Sequence, residues 1–184
     1  EFCDNISVSR ADVVTKSVNG LAEATIVVNN RTPLSGSIDV TLRVLIAKSD
    51  SGSLTKELSA DLAGIEVSLQ GVNQQVLNVP ADSIAVWRTL LTVHDPQLWS
   101  PKKPNLYILN VTVSQSGIVK DEFNTQFGIR TISTIDDKIL LNGKPVFLHG
   151  VARHEDHPNY GRSIPVSVIF SDLISVKRVN ANYL

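Results

Sequence analysis

Between residues 6 and 127 apolar and polar side chains alternate with a period of two almost throughout, and this alternation constrains the fold more than any other feature. In IDVTLRVLI, residues Ile38, Val40, Leu42, Val44 and Ile46 fall on one face of an extended strand, and Asp39, Thr41 and Arg43 fall on the other. The same pattern marks half-buried strands in ATIVVN around Ile26 and Val28, in IEVSL at Ile65, Val67 and Leu69, and in YILNVTV at Tyr107, Leu109, Val111 and Val113. In VWRTLLTV it directs Trp87 and Leu91 inward and Arg88 outward. Turn signals separate these runs: VNG (18–20), NNRTP (29–33), KSDSGS (48–53), VPAD (79–82) and SQSG (114–117). Their regular spacing predicts one β-sandwich of seven to nine strands.

The character of the sequence changes after FGIR, residues 127–130. A short strand around Ile139 and Leu140 leads into LNGKP (141–145), where Asn142-Gly143 signals a type I′ turn and Pro145 restarts an extended segment. VFLHGV (146–151) is apolar with little alternation, the mark of a strand covered on both faces, as in parallel sheets. After a loop, Ser171-Asp172 stands where a helix cap is expected. Leu173, Val176 and Val179 follow at helical spacing, with Lys177 and Arg178 in the last turn, where cations suit the macrodipole. NANYL (180–184) then resumes an extended pattern. Strand, loop, helix and strand make a βα unit, a different fold class from the preceding sandwich.

Composition excludes several functions. A chain of 184 residues can bury a sizeable core, and its one cysteine, Cys3, cannot form an internal bridge, so packing stabilises the fold and the compartment stays unread. A formal net charge of -1 without a basic cluster argues against nucleic acid as a partner. No apolar run approaches the roughly 18 residues of a membrane span, so the chain reads as soluble with no membrane partner. It contains no methionine and opens on Glu1-Phe2, a dipeptide that a common cloning junction encodes; both features suggest an excised piece. Asn5, Asn30 and Asn110 head N-x-S/T sequons, at a frequency that chance accounts for.

The residues that could carry chemistry gather in HGVARHEDHPNYGR (149–162), where His149, His154 and His157 stand beside Glu155 and Asp156. A zinc site of the HExxH kind needs histidines at i and i+4 on one helical face. His154 and His157 are three apart, Pro158 follows, and the segment reads as a loop, so the spacing argues against a metal. No serine or cysteine has the setting of an activated nucleophile. His157 and Asp156 read as solvated loop residues. His154 is the candidate for a functional role, because it follows the VFLHGV strand and precedes a helix, and α/β folds place their active-site loops at the C-terminal ends of parallel strands.

The runs FGIR, ILLNGKPVFLHGVARHEDHPNYGR and DLISVKRVNAN resemble glycoside hydrolase family 2, the β-galactosidases and β-glucuronidases, whose pattern has FGxR, an LNGKP turn, a strand ending in G-V-x-R-H-E and a helix ending near K-x-x-N-x-N. LWSPKKPNLYIL (98–109) is similar to the family's W-x-P-x-x-P-x-L-Y segment. The resemblance implies a mainly β chain: an immunoglobulin-like β-sandwich over residues 1–130, followed over 131–184 by the truncated start of a (β/α)8 barrel. In that frame VFLHGV is barrel strand one, residues 166–180 are helix one, and NANYL begins strand two.

It further implies a retaining β-glycosidase whose two catalytic glutamates lie on later barrel strands, so none of the catalytic residues is expected in this chain and the chain alone should be inactive. Glu155 matches neither glutamate. His154 matches a histidine that contacts the sugar and stabilises the transition state in the intact enzyme, and Arg153 is expected to make a structural salt bridge under the loop. Trp99 and Tyr107 are expected to pack in the sandwich core. The sandwich would be a spacer between sugar-binding and catalytic domains. Its implied partners are the remainder of the enzyme, a jelly-roll domain and the rest of the barrel, with carbohydrate bound only in the intact enzyme. No cofactor is expected in this chain, and its exposed tail allows self-association. The alternative is a free-standing immunoglobulin-like binding or adhesion module with an irregular tail.

Overall fold

The computed structural model describes residues 4–47 and 65–184; Cys3 and the KSDSGS turn lie outside the described residues. Among the described residues, eight strands build the first part of the chain: β1 (Ile6–Thr15), β2 (Leu21–Asn30), β3 (Gly36–Ile46), β4 (Leu69–Gly71), β5 (Gln74–Val79), β6 (Ser83–Val93), β7 (Tyr107–Gln115) and β8 (Ile118–Phe127). They pair antiparallel in two four-stranded sheets, β1-β2-β6-β4 and β5-β3-β7-β8.

The alternation predicts which faces meet. Val40 lies opposite Val113, Leu42 opposite Val111, and Val44 opposite Leu109, and all six are buried. Across the other sheet Ile26 faces Trp87 and Ala22 faces Leu91. These inward sets form one continuous core, in which each fully buried Val, Leu or Ile side chain contributes roughly 1.5–3 kcal/mol. Trp87 and Leu91 point in and Arg88 points out, as the sequence predicts.

IEVSL departs from its expected single strand. Ile65 is 71% exposed, and the segment divides its pairing between the sheets. Ile46 N–H donates to Ile65 O and Val67 N–H to Val44 O, and then Leu69 pairs with Val93 of β6. A segment that changes sheets keeps its period-two pattern but not one covered face.

Asn110 occupies an outward position on central strand β7 and is nevertheless buried. Its Oδ1 accepts from Arg43 Nη2 at 3.1 Å, and its Nδ2 donates to Glu122 Oε1 at 2.6 Å and Asn124 Oδ1 at 2.8 Å. Asn30 is likewise enclosed, donating to Leu34 O at 2.9 Å and accepting from Thr32 N–H at 3.0 Å. Two of the three sequon asparagines thus spend their amides inside the sandwich, as buried polar groups must. Where β1 bulges between Val8 and Arg10, Asp121 on β8 of the opposite sheet accepts from Val8 N–H at 2.8 Å and so ties the two layers together.

The FGIR, WSP and LNG motifs converge. Trp99 is half-buried rather than a core residue, which corrects the expectation, whereas Tyr107 is buried and its hydroxyl accepts from Gln97 N–H at 2.8 Å. The Trp99 ring lies against Gly128 and carries the Arg130 guanidinium 4.6 Å from its centroid. Asn142 donates through Nδ2 to Trp99 O at 2.9 Å and accepts through Oδ1 from Thr131 N–H at 3.0 Å.

By its contacts the chain divides into two compact units, one running to Ile132 and including Leu141–Gly143, the other comprising Ser133–Leu140 and Lys144–Leu184. β9 (Ile132–Ile135), β10 (Lys138–Leu141) and β11 (Lys144–Val146) form a three-stranded sheet in the order β11-β10-β9. Asn142 (φ 53°) and Gly143 (φ 75°) both lie in the left-handed region, as a type I′ turn between β10 and β11 requires.

The helix α1 runs Val166–Arg178. Its cap is Pro165, six residues before the expected Ser171-Asp172 cap, and no side chain caps it. Proline holds the φ of -59° that precedes the first turn, and its carbonyl accepts from Val168 and Ile169 N–H. Ser171 instead donates to Ser167 O within the helix. The helix ends with Asn180 at φ 58°, and Ala181 N–H closes back on Val176 O at 3.2 Å, the left-handed termination that Asn tolerates. No described helix is long and apolar enough to cross a membrane.

Candidate functional site

The site is built within the second unit, where the chain leaves β11 and passes through VFLHGV. This run is not the doubly covered strand that its composition predicts: Phe147 is 75% exposed, and Leu148 and Val151 are also exposed. An apolar run states what a segment needs on its faces; among the described residues, beyond Val146 at the end of β11, this run pairs with residues 182–183. That pairing is parallel, with Gly150 bridging Tyr183. His149 O accepts from both Asn182 N–H (3.0 Å) and Tyr183 N–H (3.2 Å), and Val151 N–H donates to Tyr183 O at 3.2 Å. The Asn182 side chain adds a second pair of bonds, accepting from His149 N–H at 2.8 Å and donating to Phe147 O at 2.9 Å. Gly150 suits the crossing, since a Cβ there would lie 3.2 Å from the Tyr183 ring.

Past Val151 the chain reaches Arg153, whose Nε and Nη2 both donate to Asp172 Oδ2 on α1, at 3.1 and 3.0 Å. Arg153 is largely buried, so this charge-assisted pair fixes the start of the loop to the helix. His154 follows immediately and is exposed, as are Glu155 and Asp156.

His157 is more than the solvated residue that the sequence suggests. Its Nδ1 accepts from Asn159 N–H at 3.1 Å, its backbone N–H donates to Gly161 O at 3.1 Å, and its ring lies 4.8 Å from Tyr160. It closes a turn through Nδ1. The Phe147 and His149 rings meet at 4.7 Å. Among the described residues no three His, Cys, Asp or Glu side chains are grouped to hold a metal ion. The three histidines of this segment differ in setting: His149 lies in the run that pairs with residues 182–183, His157 closes the turn, and His154 is exposed three residues past Val151.

Sequence reading anticipates the Arg153 salt bridge and misses the bonds of Asn182 to Phe147 and His149. The available signal was the K-x-x-N-x-N ending of the helix: Asn180 terminates it in the left-handed region, and Asn182 is the next polar residue on the new strand. Elsewhere, an open hollow on the outer face of the first sheet is lined by Arg10, Asp12, Glu23 and Arg88. Arg10 pairs with Asp12 and Lys16 with Glu23, so most of that charge is already neutralised.

An antiparallel β-sandwich continuing into a parallel strand–loop–helix–strand unit defines a sandwich joined to the start of an alternating barrel. The family model for glycosyl hydrolases family 2 matches residues 8–130, and the model for the TIM barrel domain of glycosyl hydrolases family 2 matches residues 132–184. The chain belongs to glycosyl hydrolases family 2. It is 32% identical over 153 residues to the β-galactosidase of Arthrobacter sp. (strain B7), an alignment covering 82% of this chain and 14% of that protein.

Among solved structures, a family 2 member from Bacteroides cellulosilyticus superposes with a TM-score of 0.79 at 19% identity, covering 97% of this chain and 23% of that one. The β-glucuronidase of Bacteroides uniformis superposes with a TM-score of 0.74 at 20% identity, covering 96% and 21%. The chain thus spans a seventh to a quarter of the length of these relatives. The barrel match over residues 132–184 leaves no irregular tail, and with it goes the ground for a free-standing binding or adhesion module.

Proposed function

We propose that this chain is the spacer sandwich and the opening strand–helix unit of a retaining β-glycosidase acting on β-galactosides, with the sandwich domain ending near residue 130. His154 touches the sugar, and both catalytic carboxylates are supplied from outside these residues. The observation that carries the reading is the exposed His154, three residues beyond the last paired residue of a parallel strand, inside a segment that matches the family's barrel domain. The strand ends of such barrels are where substrates bind. A retaining mechanism requires two carboxyl groups about 5–5.5 Å apart across the glycosidic bond, one as acid/base and one as nucleophile. A histidine N–H held at the sugar can strengthen its hydrogen bond as charge develops, a gain of roughly 2–4 kcal/mol in the transition state. The likeness to a β-galactosidase over 82% of the chain supports galactosides over glucuronides.

The test compares the purified chain with the longer protein that contains it, on nitrophenyl β-galactoside and β-glucuronide, and follows the anomer of the first product by NMR. The longer protein should hydrolyse the galactoside with retention, and the isolated chain neither substrate. Turnover by the isolated chain after removal of host enzyme, inversion, or a preference for the glucuronide would overturn the reading.

A further inference from the structure

We infer that Asn182 is a positioning residue for His154, an inference that rests on the reading of His154 as the sugar-contacting group. A parallel strand normally exchanges backbone bonds with neighbours along its length, but Phe147, Leu148 and Val151 are exposed and the segment's backbone is held at few points. Asn182 supplies two of those points from one side chain. Its carboxamide presents an acceptor to His149 N–H at 2.8 Å and a donor to Phe147 O at 2.9 Å, the pair of groups that a neighbouring strand's peptide would offer.

Its own backbone N–H, at 3.0 Å from His149 O, brings a third bond to the same two residues. One asparagine therefore fixes both the height and the direction of the segment that runs into Arg153 and His154. Arg153, bound to Asp172, fixes the next step. Among the described residues nothing hydrogen-bonds to His154 itself, so its location follows from what grips the residues before it. A carboxamide suits this task because it carries a donor and an acceptor in one plane; alanine offers neither, and aspartate offers only the acceptor.

The consequence is testable in two places. In the isolated chain, Asn182→Ala should accelerate amide exchange at His149 by about tenfold while Leu42 and Val44 are unchanged. In the longer protein, Asn182→Ala should lower kcat for the β-galactoside by roughly ten- to a hundredfold through misplacement of His154, with KM within about twofold, and Asn182→Asp should retain part of the rate because it keeps the oxygen facing His149. A purely structural role would also lower the rate, by reducing the folded fraction, so the deciding readout is a double-mutant cycle. In a His154→Ala background the Asn182→Ala effect should shrink to less than about twofold. An effect of undiminished size in that background, or unchanged exchange at His149, would overturn the inference. A longer protein that hydrolyses no β-glycoside would instead sink the proposed function, and the exchange result would still decide whether the Asn182 clamp exists.

Discussion

Gly128 illustrates how one residue can be fixed by its neighbour rather than by its own backbone. A Cβ at this position would lie 2.9 Å from Trp99 Cβ and 3.0 Å from Trp99 Cγ, so the indole can lie flat only where no side chain intervenes. Gly128→Ala must push the ring away from its place beneath Arg130, and should cost about 1–3 kcal/mol, read as a lower urea midpoint at constant m-value. The same kind of close approach was invisible in the sequence. FGIR and WSP could be recognised as motifs, but nothing in their spacing reveals that the glycine of one makes room for the tryptophan of the other. The place of His154, past an apolar run and before a helix, was legible from the order of the motifs. The bonds of Asn182 were not, because a carboxamide that stands in for a backbone partner has the same letter as any turn asparagine.

At the scale of elements, the legible strands are those whose one face is covered along their whole length. β3 and β6 keep strict alternation because each faces the same core throughout, so Leu91 should be as costly to truncate as any core leucine. Leu91→Ala should lose about 2–5 kcal/mol in equilibrium unfolding, and a loss under about 0.5 kcal/mol would mean that its strand presents the other face. IEVSL was misread because it serves two sheets in turn, and the β1 bulge leaves no mark in the sequence because the acceptor that stabilises it, Asp121, comes from more than a hundred residues away. The cap pattern alone misplaced the start of α1, which the family resemblance put at residue 166, for a third reason. Val166, Val168 and Ile169 are β-branched residues of middling helix propensity, and Pro165 rather than a hydroxyl or carboxylate begins the first turn. Asp172, which looked like a cap, is used by Arg153.

Over the whole chain the two units differ in kind. The sandwich encloses a continuous core, whereas α1 contains no fully buried residue and Phe147 stands open to solvent. A helix of this length has little stability without a surface to pack on. Amides of Leu42 and Val44 should therefore exchange only through global unfolding, and that of Val151 at least about a hundredfold faster in a dilute monomer. Equal protection would show that sandwich and barrel opening unfold as one cooperative body. The exposed apolar side chains of the second unit also predict concentration-dependent association of the isolated chain, which sedimentation would detect. The functional account turns on His154. In the longer protein, His154→Ala should reduce kcat for nitrophenyl β-galactoside by roughly thirty- to a thousandfold, equivalent to about 2–4 kcal/mol of transition-state stabilisation, with the fold unchanged by circular dichroism. A correctly folded variant whose kcat and kcat/KM stay within about twofold of the parent would contradict the account.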